Sequence, residues 1–472
     1  MNIIDYNRWW ILRNDKLYEY LNETERQIDD NCLIFPGCTA DLNANTLNNS
    51  TQEQIVDTIM EQKGSWSVVY YNKNLNKLWI GRDVFGRQSI VFNFKHMIFG
   101  VRVNPDFDGG WVEVPYGQLT VFTLGNHETV ELYTYLNEYP EGVFDGYLEG
   151  FNIRKTVINK KSNLLNVSRS ITSNNEDLKT CLFDNTVEAT KVLLRNYKRK
   201  FISVCLSGGV DSTFIAHVVH KSIPNDMNIE LVNVAFGNSE KDCSNAPDRQ
   251  RAINAYKSFQ SAYPSRVFRL ILVNVNSDEL EECRKSSISL AARPAVSVLD
   301  DSLSCVLWFA VRGKGKDYDN GEEVQTEATT CLLGSGADEL LAGYARHRNR
   351  FEKELVPENV AEECENELRR LGSRNGGRDA RVAAQLNKTI LSPLLEDDVV
   401  SWLNSLPVNS KWDLSLPRGV GEKLLLRETV KMLGSPYDAP KQAMQFGSRM
   451  AKMSNNGNNC IKGSDKSPHL IV

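Results

Sequence analysis

Two stretches of this chain place carboxylates directly after glycine turns, an arrangement suited to gripping a metal–phosphate. In the first, Ser207-Gly208-Gly209-Val210-Asp211-Ser212, the glycines allow a backbone turn that side chains would block, and Asp211 and Ser212 stand where a helix would begin. Such a turn offers backbone N–H groups backed by the positive end of a helix dipole, a cradle for an anion such as phosphate. Asp211 would repel a bare phosphate but fits one shared with a Mg2+ ion. The second stretch, Gly334-Ser335-Gly336-Ala337-Asp338-Glu339, repeats the order of strand, glycines, acidic residue and helix. Asp211 and Asp338 could then hold one Mg2+ together. Taken alone, the first stretch also reads as a plain strand-to-helix turn, and the second as a helix start whose acidic residues complement the dipole. Two such turns on one sheet favour binding over connection.

The elements needed to position these turns are legible around them. Phe201 to Leu206 is an apolar run of strand length, and Phe214, Ile215, Val218 and Val219 give the following helix one apolar face. Upstream, Phe183, Val187, Leu194 and Tyr197 form a helical stripe closed by Lys198-Arg199-Lys200. Downstream, strands are predicted over Leu231 to Phe236, Val267 to Val275 and Cys331 to Leu333. Helices are predicted over Asp248 to Phe259, Asp278 to Arg284, Leu299 to Val311 and from Asp338. Alternation of this kind implies a parallel sheet covered by helices on both faces, with ligands at the carboxyl ends of the strands.

The text before residue 160 is different. From Gly64 to Leu124, short β-branched and aromatic runs punctuated by Asn, Lys and Gly predict an antiparallel meander, including a hairpin of Ser67–Tyr71 with Leu78–Ile80. Between strands, Gly81-Arg82-Asp83-Val84-Phe85-Gly86-Arg87 reads as a loop tied by an internal ion pair. Residues 1 to about 60 carry Asn-rich polar text around a few apolar islands and give no firm assignment.

Composition narrows the function classes. With 472 residues, 41% hydrophobic and 24% charged at a net charge of −5, the chain has room for two or three domains and no excess of basic charge for nucleic acid or anionic membranes. No apolar run approaches the roughly 20 residues of a membrane span. The opening Met1-Asn2-Ile3-Ile4-Asp5 lacks a basic segment followed by an apolar one, so no secretory leader is expected. Ten cysteines without a C-x-x-C pair read as reduced thiols, not zinc ligands, in a cytosolic or nuclear compartment, and a cytoplasmic protein is expected. Oligomeric state is not legible.

The hexapeptide at 207–212 resembles the pyrophosphate loop of the ATP pyrophosphatases, and it lacks the lysine of a Walker A loop, which argues against kinase or GTPase chemistry. Gly334 to Tyr344, Gly419-Val420-Gly421-Glu422-Lys423-Leu424 and Pro440-Lys441-Gln442 resemble segments of the asparagine synthetases. Gly64–Tyr71 with Gly81–Ser89 resembles that family's glutamine amidotransferase domain. The resemblance covers about Gly64 to Lys452, and identifies the chain as a divergent branch of the family. It implies an α/β protein with an Ntn-hydrolase-like β sandwich with helices (degenerate, class II amidotransferase type) over 1–160, a linker over 161–180, a parallel-sheet ATP pyrophosphatase domain over 181–452 and a disordered tail over 453–472.

The activity so implied is adenylation of a carboxylate, aspartate by resemblance, with MgATP and release of pyrophosphate, followed by displacement of AMP by ammonia or glutamine nitrogen to give asparagine. Ser207, Gly208, Gly209, Val210, Asp211, Ser212, Gly334, Gly336 and Lys441 would hold ATP and pyrophosphate, Asp211 and Asp338 the Mg2+, and Lys423 would stabilise charge in the transition state. The partners implied are small-molecule substrates alone. Pro247-Asp248-Arg249 would meet adenine and ribose. Three departures keep other outcomes open. Asn2 cannot replace a nucleophilic cysteine, so either the amidotransferase domain is degenerate or the chain lacks its true start. Ser335 stands where the family places Glu. Where the family carries a Thr-Ile-Arg-Ala-Ser run, this chain has Leu299-Asp300-Asp301-Ser302-Leu303, a worse pocket for an acidic amino acid. A nucleotide-binding scaffold, and a related ligase acting on another acid, are the alternatives.

Overall fold

Strand-forming residues in tight alternation with turn residues build the first part of the chain. The computed structural model describes residues 9–13, 16–21, 24–28, 32–34, 47–125, 129–158, 160–171, 177–435, 442–454 and 462–470. These residues fall into two units. The first comprises Met1–Ser162 together with Leu290–Ala295 and Arg369–Asn387. Its strands are β1 (Trp9–Arg13), β2 (Lys16–Leu21), β3 (Thr24–Ile28), β4 (Cys32–Ile34), β5 (Ser67–Asn72), β6 (Lys77–Arg82), β7 (Val91–Asn93), β8 (Ile98–Gly100), β9 (Trp111–Glu113), β10 (Gln118–Thr123), β11 (Thr129–Thr134) and β12 (Asn152–Val157). A helix, α1 (Gln52–Met60), is opened by a capping box of Thr51 and Gln54.

Two six-stranded sheets result, ordered β3-β2-β1-β8-β7-β9 and β12-β11-β10-β6-β5-β4. The predicted hairpin is present, with β5 and β6 paired from Ser67↔Arg82 to Asn72↔Lys77. Alternate residues of both sheets meet in one core, where Trp10, Phe92 and Phe99 of the first join Val69, Leu78, Ile80 and Phe122 of the second. Phe92 and Phe122 stack across the layers with ring centroids 6.3 Å apart. Each fully buried ring of this kind contributes about 1.5–3 kcal/mol relative to exposure.

The charged loop after β6 is a buried polar knot. Arg87 pairs with Asp83 at 2.9 Å, and Arg82 donates to the carbonyls of Gln88, Val114 and Gly86 at 2.6, 2.7 and 2.7 Å. Arg381, buried as well, is paired with Glu113 and donates to Ser89 at 3.0 Å. The segments 290–295 and 369–387 thus belong with this unit and not, as the sequence suggested, with the second.

The second unit holds α2 (Leu178–Leu194), β13 (Phe201–Cys205), α3 (Val210–Ser222), β14 (Asn228–Phe236), α4 (Pro247–Ala262), β15 (Phe268–Val275), α5 (Val298–Arg312), β16 (Lys314–Asp317), β17 (Glu323–Gln325), β18 (Thr330–Leu332), α6 (Ala337–Leu340), α7 (Ala345–Glu354), β19 (Thr389–Leu391) and α8 (Leu424–Met432). Its sheet is ordered β17-β16-β15-β14-β13-β18-β19, with β13, β14, β15, β18 and β19 parallel as expected and β16 and β17 an antiparallel edge. Helices α2, α3 and α8 pack on one another, while α4 and α5 lie on β14. From β13 the sheet grows through β14 and β15 on one side and through β18 and β19 on the other, so β13 and β18 flank the point where strand order reverses.

Two expectations need correction. The stretch 161–180 is not a plain linker: Ser162–Leu165 is helical, Val167 donates to Glu365 at 2.8 Å and Ser168 to the Asn404 carbonyl at 2.7 Å, while residues 172–176 lie outside those described. Nor does the described part of 453–472 read as disorder. Ser297 and Lys466 form an antiparallel bridge, Val298 and Leu299 donate to the carbonyls of Asp465 and Gly463, and Leu470 is buried. Those bonds satisfy first-turn N–H groups of α5 that a helix cannot satisfy itself. No helix among the described residues is long and apolar enough to cross a membrane.

Candidate functional site

Because β13 and β18 are hydrogen-bonded neighbours, in register at Ser203↔Cys331 and Val204↔Leu332, the two glycine turns leave the sheet side by side. In the first turn Gly208 has φ +71°, and a Cβ there would strike the backbone of Arg251 and Ala252. Ser207 Oγ accepts from the Gly209 N–H at 3.2 Å, and Ser212 Oγ donates to the Gly209 carbonyl at 3.1 Å, which fixes the loop. In the second turn a Cβ on Gly334 would sit 2.7 Å from Asp211 Cβ, so glycine is what lets the loops touch. Gly336, at φ +98°, is shaped by packing on Leu395.

Lys423 closes the arrangement. Its Nζ lies 2.8 and 2.7 Å from the two oxygens of Asp211 and 2.7 Å from Asp338 Oδ1. The residue is 1% exposed and adopts the left-handed conformation (φ 55°) at the start of α8. Burial pulls the ammonium down, but the charges and hydrogen bonds of Asp211 and Asp338 outweigh it and hold the group above the ordinary lysine range. Gly343 leaves room for the lysine, since a Cβ there would overlap both Asp338 and Lys423.

Sequence reasoning missed the frame that aims Lys423. Arg348 of α7 is buried and donates to Glu422 at 3.0 Å and to the carbonyls of Leu414 and Leu416 at 2.8 and 2.9 Å. Glu422 also accepts from the Gly419 N–H at 2.8 Å, and Lys423 itself donates its N–H to the Leu341 carbonyl at 3.0 Å. The Arg346-His347-Arg348 run was a visible signal, but its partner lies 74 positions away.

Of the residues singled out from sequence, Asp211, Gly334, Asp338 and Lys423 converge with the Ser207–Ser212 turn. Val210 contributes backbone only, its side chain being buried. Lys441 lies outside the described residues. Arg249 does not face outward: it is buried and braces the sheet by donating to Asn233 at 2.7 Å and to the Val273 carbonyl at 2.9 Å. Asp248 is buried against the Gly447 backbone and paired with Arg251 at 2.6 Å; burial pushes its carboxyl up to about 6 against the pull of Arg251. Asp300 and Asp301, read from sequence as part of a worse pocket for an acidic amino acid, both have partners at the start of α5. Asp300 bonds Ser297 at the start of α5, and Asp301 is buried against Arg284 at 3.2 Å.

Two carboxylates that already share one buried cation match the common Mg2+ set of one or two carboxylates completed by phosphate oxygens. The asparagine synthase family pattern matches residues 191–390, which contain both turns. Asparagine synthetase domain-containing protein 1 of Bos taurus is 31% identical, with 89% of this chain and 82% of the relative covered. The chain belongs to this family.

The family likeness runs across much of the chain. The Mus musculus protein of the same name is 32% identical over 89% of this chain and 83% of its own length. An asparagine synthetase domain-containing protein of Saccharomyces cerevisiae is 27% identical over 96% and 81%. A solved U34-tRNA thiolase of Methanococcus maripaludis overlaps with a TM-score of 0.23 and 14% identity over 62% of this chain and 77% of that one, too little to bear on the fold.

Proposed function

We propose that this family member is an ATP-dependent amide ligase that adenylates a carboxylic amino acid, aspartate by family resemblance, and converts it to the amide. The observation that carries the reading is the bridge from Lys423 to both Asp211 and Asp338, since it joins both acidic turns at one point. The substrate carboxylate oxygen attacks the α-phosphorus of ATP, the bond to the pyrophosphate oxygen breaks, and pyrophosphate leaves. Ammonia, free or from glutamine, then adds to the acyl carbon, the bond to AMP breaks, and the amide forms as the nitrogen gives up its surplus proton to solvent. Asp211 and Asp338 would hold Mg2+, which when bound supplies charge neutralisation for the phosphates. The Ser207–Ser212 turn offers its N–H groups to pyrophosphate at the start of α3. The Lys423 ammonium opposes negative charge on the phosphate and on the tetrahedral centre.

The first unit is read as a two-layer amidotransferase-type sandwich of the Ntn-hydrolase class, supported by its two sheets around one core. The reading includes a cytoplasmic protein with small-molecule partners. Ser335, between the glycines of the second turn, favours as second reading a nucleotide-binding scaffold that does not complete amide transfer. Exchange of labelled pyrophosphate into ATP discriminates the two. Exchange dependent on aspartate or another amino acid supports the ligase, and MgATP binding without exchange for any acid supports the scaffold.

A further inference from the structure

The two strands that carry the acidic turns also carry two cysteines. Cys205 ends β13, Cys331 lies in β18, and their sulfurs are 3.2 Å apart although the residues are 126 positions apart in sequence. Cys205 is half-buried and Cys331 fully buried. We propose that Cys205 and Cys331 are a disulfide-forming pair through which a peroxide alters the geometry of the paired turns.

The chemistry balances with hydrogen peroxide as oxidant. Cys205, the more accessible, gives up its thiol proton and attacks one peroxide oxygen; the O–O bond breaks, the departing hydroxide takes up that proton and leaves as water, and a sulfenic acid forms. The Cys331 thiolate then attacks that sulfur; the S–S bond forms, the S–O bond breaks, and the departing hydroxide takes up the proton that Cys331 had released and leaves as a second water. Each sulfur loses one electron and the peroxide gains two.

The surroundings favour Cys331 as the resolving thiol. Burial pushes other thiols up, Cys364 to about 12, whereas Cys331 is held below the ordinary thiol range, first by the hydrogen bond from Cys205 and also by the Lys388 charge, against the effect of its burial. A disulfide needs sulfurs about 2.05 Å apart. Closing from 3.2 Å therefore draws them together by about 1.1 Å. That movement acts where Gly334 and Asp211 already leave no space for a methyl group. Oxidation thus shifts the turns and the carboxylates that meet on Lys423.

The inference rests on the functional reading only for its catalytic consequence, and its two readouts, peptide linkage and hydrogen exchange, use none of the substrates. The full chain, reduced and then treated with hydrogen peroxide, is digested and mapped by mass spectrometry, with amide hydrogen exchange measured in parallel. A linked pair of peptides holding Cys205 and Cys331, two hydrogens lighter than their sum and separated again by dithiothreitol, is expected. Exchange over 207–212 and 334–343 changes by about tenfold on oxidation and not in the Cys205→Ser or Cys331→Ser variants. Absence of the linked pair overturns the proposal, and so does a linked pair with unchanged exchange in both turns. A reduced protein that fails to bind MgATP would instead sink the nucleotide reading and leave both readouts in force.

Discussion

Lys423 and Asp211 are 212 positions apart in the chain, yet the lysine ammonium meets both oxygens of that carboxylate, at 2.8 and 2.7 Å. Breaking a buried ion pair from one side costs about 3–5 kcal/mol when the remaining charge stays desolvated. Asp211 is 26% exposed and Asp338 15%, so water recovers part of that. Lys423→Met is expected to lower unfolding free energy by about 1–3 kcal/mol in urea titration, and to abolish pyrophosphate exchange. Lys423→Gly removes the same charge and relieves the left-handed backbone at φ 55°, but it also empties the buried space of the side chain, so it should be less stable than the Met variant and equally inactive. A Gly variant as stable as the Met variant would mean that backbone relief offsets the lost packing.

Gly334→Ala tests the close approach of the turns. Its Cβ would meet Asp211 Cβ at 2.7 Å, so one loop must move. MgATP affinity measured by calorimetry is expected to fall at least about tenfold, with a loss of fold stability near 1–3 kcal/mol. Unaltered affinity would show that Asp211 need not sit against the second turn.

Arg348 and Glu422 hold the lysine from behind. Arg348→Lys keeps the charge but cannot serve Glu422 and two carbonyls at once. Exchange turnover should drop about tenfold while the KM for ATP changes less, since the phosphate cradle is intact. A rise in KM with unchanged turnover would instead assign the pair to nucleotide binding.

His217 makes stability depend on pH. It is fully buried between the Tyr263 hydroxyl at 2.7 Å and Ser435 at 3.0 Å, and burial, with His220 adding, lowers it to about 3. Its contribution is therefore complete above the unfolded value near 6.5 and is lost as pH falls from there toward 3, because the unfolded chain takes up a proton that the native state excludes. From pH 7 to pH 5 the loss is about 2 kcal/mol, read as a lower urea midpoint. His217→Gln should flatten that part of the profile. His220, lowered to about 4 by burial, adds a loss of the same sign.

The legible parts of this protein are those that depend on neighbours in sequence. The strand–turn–helix at 201–222 stands out because an apolar run, two glycines and a helical face follow one another. Helix α5 and strand β15 fall within a residue or two of their expected bounds, since burial imposes their periodicity. Strands β1 to β3 went unassigned because polar residues such as Lys16, Glu19 and Glu25 interrupt their apolar ones. The partners of Asp301 and Glu422 could not be read, because each is an arginine from a distant element whose approach only the fold determines. The ion pair expected within the 81–87 loop, which Asp83 and Arg87 form, was within reach because it spans four residues.

Strand order in the second unit has one more consequence. β13, β14 and β15 zip up from consecutive text, whereas β18 joins β13 only after more than a hundred further residues have been laid down. The acidic turns thus straddle a seam between an early half and a late half of the sheet. Any molecule that grips both would act as a rivet across it, and the first amides to gain protection would be those of β18 and not those of the early strands.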